Sequence, residues 1–225
     1  MDKFAHIKEH IAPQIIEVFG ISMSESVFYA ICVSLFLIIS AALIRIFYIP
    51  KFSMVPKRFQ AMLEMVIDFF DKLAGESGKL KKFLSPYIFS VAAFIFFGIM
   101  IEMLGFRPPL ADINTTLALA LMTFLLVNFF GIKRHGPIGR IKYFFKPTAI
   151  VGPFRIMSDL MVPVSMSFRL FGSVLSGLIA MEIIYAMLPL VLPVIASPVF
   201  TLFHALVQPY IFTMLTVLFI SEAAE

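Results

Sequence analysis

The sequence predicts an all-α integral membrane protein with five transmembrane helices, a cytoplasmic interfacial amphipathic helix, and a last pair of helices that are long and tilted. Three observations carry this. Hydrophobic residues make up 60% of the chain and charged ones 14%, with a mean hydropathy of +0.98, which suits lipid as solvent and not water. Apolar stretches recur that are long enough to cross a hydrocarbon layer of about 30 Å. Lys and Arg gather in alternate connections between those stretches. The chain reads as a single membrane domain, 1–225.

The elements follow in order. The tail 1–26 mixes Asp2, Lys3, Lys8, Glu9 and Glu17 with apolar residues, so no cleavable signal is expected. Span 1, 27–49, is broken only by Arg45 near its end, where the side chain can snorkel. Over 55–75, Phe59, Met62, Leu63, Val66, Ile67, Phe70 and Leu73 repeat at helical spacing. Arg58, Gln60, Glu64, Asp68, Asp71 and Lys72 fill the other face, the pattern of a helix lying in the membrane interface. Span 2 is 84–104 and span 3 is 115–132. Span 4, 156–188, would be about 50 Å long at ~1.5 Å per residue, well beyond the hydrocarbon thickness, so it must tilt or bend. A proline-marked turn, 189–198, leads into span 5, 198–221.

Orientation follows from the basic residues. Segments 50–87 and 133–155 carry thirteen Lys and Arg; the tail and the 105–114 and 189–197 loops carry three, Lys3, Lys8 and Arg107. The amino terminus is therefore expected outside and the carboxyl terminus in the cytoplasm. The net charge of +4 follows this topology and calls for no nucleic acid.

Several function classes are disfavoured. Cys32 is the single cysteine, so neither an intrachain disulfide nor a cysteine metal cluster is expected. The sequence offers no Ser/His/Asp or Cys/His set, phosphate-binding glycine loop or paired-histidine metal motif, so an enzyme with chemistry of its own, a cofactor or a bound metal is not expected. The fourteen Met and 27 Phe need no role beyond apolar bulk.

Arg169 is the one charged residue in 160–181. A guanidinium stays protonated, and placing it mid-membrane costs at least about 2.5 kcal/mol, so such a charge is normally functional. Gly172 with Ser176 and Ser173 with Gly177 set small residues at four-residue spacing beside it, which admits a close helix, either a partner's or one of this chain's own.

Around this arginine the residues become recognisable. Pro163-Val-Ser165-Met-Ser167-Phe-Arg169-Leu170-Phe171-Gly172 resembles the signature of the subunit a family of F-type ATP synthases, the stator half of a membrane proton channel. Asp112-Ile-Asn114-Thr-Thr116-Leu-Ala-Leu-Ala and Gln208-Pro-Tyr-Ile-Phe-Thr-Met-Leu-Thr216 resemble the family's third-span entry and last helix. The likeness runs from about residue 50 to the end, with the same span order. The chain departs from many members at Ser173, Leu178 and Thr201, where they carry Asn, an acidic residue or His, and a second ionisable group. Glu182 and His204 stand one turn away instead.

The resemblance implies a proton-translocating subunit with two aqueous half-channels separated by Arg169, facing a rotating ring of small carboxylate-bearing subunits (the c-ring). It also implies peripheral-stalk subunit b and the lipid bilayer as partners, in an energy-transducing membrane, the bacterial cytoplasmic membrane. The outer path would use Glu182, His204, Gln208, Ser173, Glu102, Asp112 and Asn114; the inner path would use Asp159 and Ser165, beside Ser158. Glu182 lies about 220° around the helix from Arg169, so the two face different neighbours. If Arg169 is level with Gln208, Glu182 and His204 sit about 13 Å apart along the axis, to be joined only through water.

Blander roles stay open for several residues. Asp112 suits a helix N-cap, Glu102 can snorkel, His204 can be a neutral packing donor, and Asp159 can pair with Arg155. Two further readings remain, a sodium-coupled form of the same subunit and a stand-alone secondary transporter. The latter is disfavoured by the lack of an inverted repeat.

Overall fold

The computed structural model describes residues 15–18, 21–52, 58–75, 78–144, 152–187 and 192–224. Parts of the expected tail, of the interfacial helix start, of the 133–155 connection and of the 189–198 turn lie outside the described residues, as do Lys57 and Lys146. Five helices are long and apolar enough to cross a membrane: Glu25–Tyr48, Phe83–Leu104, Ile113–Lys133, Met157–Ile184 and Ser197–Ala223. The protein is an all-α integral membrane protein.

One small element departs from the expectation. β1 (Ile15–Val18) and β2 (Ile21–Ser24) pair antiparallel, with Ile15 opposite Ser24. Ile21, Ser22, Met23 and Ser24 do alternate apolar and polar, the strand period, but a four-residue signal is easily lost beside a long apolar helix. α1 (Glu25–Leu43) follows at once, with Ser24 as its N-cap residue, and runs through a π-helical stretch (Ile44–Tyr48) and a 3-10 turn (Ile49–Lys51). Ile31, Leu35, Ile38 and Ile46 stay exposed along it. Arg45 is exposed too.

α2 (Arg58–Leu73) is the amphipathic helix. Phe70, Leu73 and Ala74 dock it against a cluster built on Leu84, Ile88, Val127, Phe130, Ile220 and Ala223, and Phe59 meets Tyr48 with ring centroids 4.9 Å apart. Met62, Met65, Ile67 and Phe69 remain exposed. On its polar face Gln60 Nε2 donates to Glu64 Oε1 (2.8 Å), and Lys72 pairs with Asp68 at 2.7 Å. That ion pair raises the Lys72 ammonium above its ordinary value yet, fully exposed, contributes little to stability.

α3 (Gly78–Met100) carries Pro86 and continues as a 3-10 turn, Ile101–Leu104. Gly105 then turns the chain with φ +79°, a left-handed conformation that glycine adopts without a Cβ clash. A buried 3-10 turn, Pro109–Ala111, leads into α4 (Ile113–Phe144), interrupted at Gly136, where φ is 74° and ψ 164°. α5 (Gly152–Met187) has 36 residues and α6 (Leu192–Ala224) has 33. Each is about 50 Å long, too long to cross upright.

The sequence leads to a turn reaching Pro198, but α6 already begins at Leu192 and carries Pro198 and Pro209 inside. Proline near a helix start removes few backbone bonds, and in spanning helices neighbouring groups make good the loss. α4 packs chiefly on α5, and α3 on α6. Ile95, Ile99, Leu110, Ala120, Leu170, Ala205 and Phe212 form the main core.

Candidate functional site

α5 divides into a buried stripe and two unlike flanks. Pro163, Met166, Leu170, Val174, Gly177 and Met181 are buried and recur at three- and four-residue steps, the period of one helix face. Arg169 stands on one flank with Ser165, Gly172 and Ser176, all exposed. A Cβ on Gly172 would meet nothing within 4 Å, so this flank is open. Glu182 stands, half-buried, on the other flank, about 220° round from Arg169. Arg169 forms no hydrogen bond or ion pair with another described residue. Midway along a membrane span, a permanent cation is thus presented outward from the fold.

The register between α5 and α6 comes from Gly177. Its Cβ position lies 3.7 Å from Phe200 Cε1. Because the two helices run antiparallel and the Phe200 ring leans towards the start of its helix, equal steps along both bring Arg169 to within about a turn of Gln208. Ser167, two residues before Arg169, is held by a buried hydroxyl pair with Thr116 of α4, 3.2 Å apart. Thr116 in turn donates to Ile113 O at 3.0 Å. The Thr116 hydroxyl therefore helps fix α5 at the level of the arginine.

On α6 a polar stripe faces inward. Thr201, His204 and Gln208 are spaced three and four residues apart, within about 60° of one helix face. Thr201 and Gln208 are buried and His204 is half-buried. Thr201 Oγ1, His204 Nε2 and Gln208 Nε2 are buried without a hydrogen-bond partner among the described residues. The contrast with Thr213 and Thr216 on the same helix is sharp, since their hydroxyls donate to Pro209 O (2.8 Å) and Phe212 O (2.9 Å). An unmade hydrogen bond in the interior costs about 1–3 kcal/mol, so three such atoms on one face set this stretch of α6 apart from the rest of the helix. The spacing of Thr201, His204 and Gln208 was visible in the sequence; that the Thr201 hydroxyl lacks a partner among the described residues was not, because threonine in an apolar helix usually bonds its own backbone.

The remaining candidates fall into two groups. Glu102 is half-buried in the 3-10 turn Ile101–Leu104, which packs on α6. Ser173 is half-buried, and its hydroxyl donates to Leu170 O at 3.0 Å. On the segment expected at the cytoplasmic end, Ser158 and Ser165 are exposed and Asp159 half-buried, while the Arg155 side chain lies outside the described residues.

Asp112 is buried and caps α4: its Oδ1 accepts from the Asn114 amide at 3.0 Å, and its carbonyl accepts the Thr116 amide at 3.2 Å. Its Oδ2 accepts from Ser24 Oγ at 3.2 Å, tying the β-hairpin end to the α4 entry. Asn114 itself is exposed. Nearby, burial holds the Arg107 guanidinium below its ordinary value, and the charges of Glu25 and Asp112 work the other way. Among the described residues no group of three His, Cys, Asp or Glu is placed to hold a metal.

Comparison with known proteins shows the family. The family model described as ATP synthase A chain matches residues 27–221. A protein of Moorella thermoacetica named ATP synthase subunit a is 32% identical over 182 residues, covering 76% of this chain and 79% of that protein. ATP synthase subunit a 1 of Chlorobaculum parvum is 35% identical over 171 residues, 75% of each chain. ATP synthase subunit a of a Sulfurihydrogenibium species is 32% identical over 179 residues, 77% of this chain and 86% of that one. With the match spanning all five membrane helices, the chain belongs to the ATP synthase A chain family.

Proposed function

We propose that this chain is the proton-translocating stator subunit of a rotary ATP synthase, a non-catalytic component through which protons reach and leave a ring of carboxylate-bearing helices. The observation that carries this is Arg169, exposed at mid-span with no partner among the described residues. A cation in that position is stabilised by an anion brought to it. The small side chains of Ser165, Gly172 and Ser176 beside it leave room for a partner helix to come close. The names of the relatives support the same reading.

The division of labour follows from the two flanks of α5. A proton from outside passes by way of Asp112, Asn114 and Glu102 to Glu182, then along water at Ser173, His204 and Gln208, the last two offering buried nitrogens without a partner among the described residues. It neutralises a ring carboxylate, which can then enter lipid. A protonated ring carboxyl arriving from the other side releases its proton to the path at Ser165 and Asp159, and the carboxylate so formed is held by Arg169. As a fixed cation Arg169 also repels a free proton that would otherwise cross directly. That leak matters, since the driving potential is worth about 2.3 kcal/mol per charge per 100 mV. The subunit sits in the bacterial cytoplasmic membrane with its amino terminus outside, beside peripheral-stalk subunit b.

Access from opposite faces tests the two paths. In a Cys32→Ser background, Glu182→Cys and Asp112→Cys should react with an impermeant thiol reagent only from outside sealed vesicles. Asp159→Cys and Ser165→Cys should react only from inside. Reaction of Glu182→Cys from the cytoplasmic face alone would overturn the topology, and no reaction at any of the four would remove the aqueous paths.

A further inference from the structure

A cavity of about 720 Å³ lies between α2, α3 and α6, apart from the polar stripe and from the Arg169 flank. Met65 and Phe69 of α2, Ala93 and Phe97 of α3, and Leu206 and Tyr210 of α6 line it. Its size falls among ligand pockets, about 300–1,000 Å³. Apart from the Tyr210 hydroxyl these side chains bring no polar group, and water needs two to four polar partners to stay in such a space. Left empty, the cavity would forfeit the dispersion contacts of its whole wall. Its contents are therefore apolar.

Place and shape narrow the occupant. The α3 wall, from Phe89 to Phe97, lies about 9 to about 21 Å along the helix from Phe83, where the span begins. That depth straddles the middle of a hydrocarbon layer of about 30 Å, where acyl chains lie. Met65, Phe97 and Leu206 on its rim are exposed, so the groove opens sideways onto the surface that lipid wets. Towards the cytoplasm the charge is basic. Arg58 opens α2, and Lys79, Lys81 and Lys82 occupy the start of α3. Basic residues in the chain segments that lead into an apolar crevice from the cytoplasmic side complement an anionic headgroup.

We propose that this groove holds an acyl chain of an anionic phospholipid, with the headgroup at the cytoplasmic entry of α3. The lipid then acts as a wedge that seats α2 against α3 and α6. Tyr210 meets Phe69 across the groove with ring centroids 6.4 Å apart, and Phe70 meets Phe89 at 5.5 Å. These ring contacts join the walls of the groove.

The test places a photoreactive side chain in the groove of the assembled complex in its own membrane. Phe97→p-benzoylphenylalanine is irradiated and the chain is weighed by mass spectrometry, with Leu125→p-benzoylphenylalanine, on an exposed face, as the control. The expected result is a phospholipid adduct at residue 97 whose anionic share exceeds that at residue 125 several-fold. Met65→p-benzoylphenylalanine, on the facing wall, should give the same adduct and lose it when Ala93→Trp fills the space. A polypeptide adduct at both groove positions would show that a partner covers the groove and would overturn the proposal. The same headgroup distribution as at residue 125, or no groove adduct while the control reacts, would overturn it too.

Discussion

Gly177 of α5 stands against Phe200 of α6, with 3.7 Å between the glycine's Cβ position and the ring's Cε1. This contact sets a register that brings Arg169 to within about a turn of Gln208. An alanine at 177 would make ordinary van der Waals contact; a leucine would have to displace the ring. Gly177→Ala should leave the complex as stable and active as the parent. Gly177→Leu should cost about 1–3 kcal/mol through overpacking and lower ATP-driven pumping. Thermal melting of the detergent-solubilised complex and proton uptake into vesicles measure the two effects, and equal behaviour of the two variants would refute this register.

The Thr116 and Ser167 hydroxyls, 3.2 Å apart and buried, should couple energetically. Hydrogen bonds between membrane helices average about 0.6 kcal/mol. A double-mutant cycle with Thr116→Val and Ser167→Ala should return a coupling of that order and a modest fall in pumping, because Ser167 lies two residues from Arg169. A coupling of zero would mean that the pair does not position α5.

Thr201→Val should separate stability from transport. Valine keeps the shape and removes a buried hydroxyl that has no partner among the described residues, so the fold should be as stable as before or gain up to about 1–3 kcal/mol. If the stripe on α6 carries water, the same change should slow pumping. Unchanged pumping with raised stability would show the stripe to be merely strained packing.

Glu182→Gln preserves shape and hydrogen bonding while removing titration, so pumping should fall sharply in assembled complex. His204→Gln should fall less. Should Glu102→Gln stop pumping while Glu182→Gln does not, the principal carboxylate of the outer path would be Glu102.

What could be read from the sequence was what depends on the nature of the solvent and on local spacing. The five spans, the amphipathic pattern over 58–73 and the isolation of Arg169 all follow from apolar run length and helical period. Asp112 after the Pro-Pro pair read correctly as a possible cap, yet its second partner, Ser24, is 88 residues away and carries no local signal. The early start of α6 was hidden because Pro193 and Pro198 punctuate most chains, whereas a spanning helix tolerates them. The unpaired state of Thr201 depends on what α6 packs against, which no periodicity encodes. Nor could the sequence tell whether Arg169 turns inward or outward.

The outward-facing Arg169, without a partner among the described residues, is the centre of the account, and its removal tests that most directly. ATP-driven proton pumping by inverted vesicles carrying Arg169→Ala should be abolished while the complex assembles normally. Arg169→Lys should restore little, since an ammonium lacks the planar fork and can shed its proton when desolvated. Near-normal pumping in assembled Arg169→Ala complex would contradict the assignment.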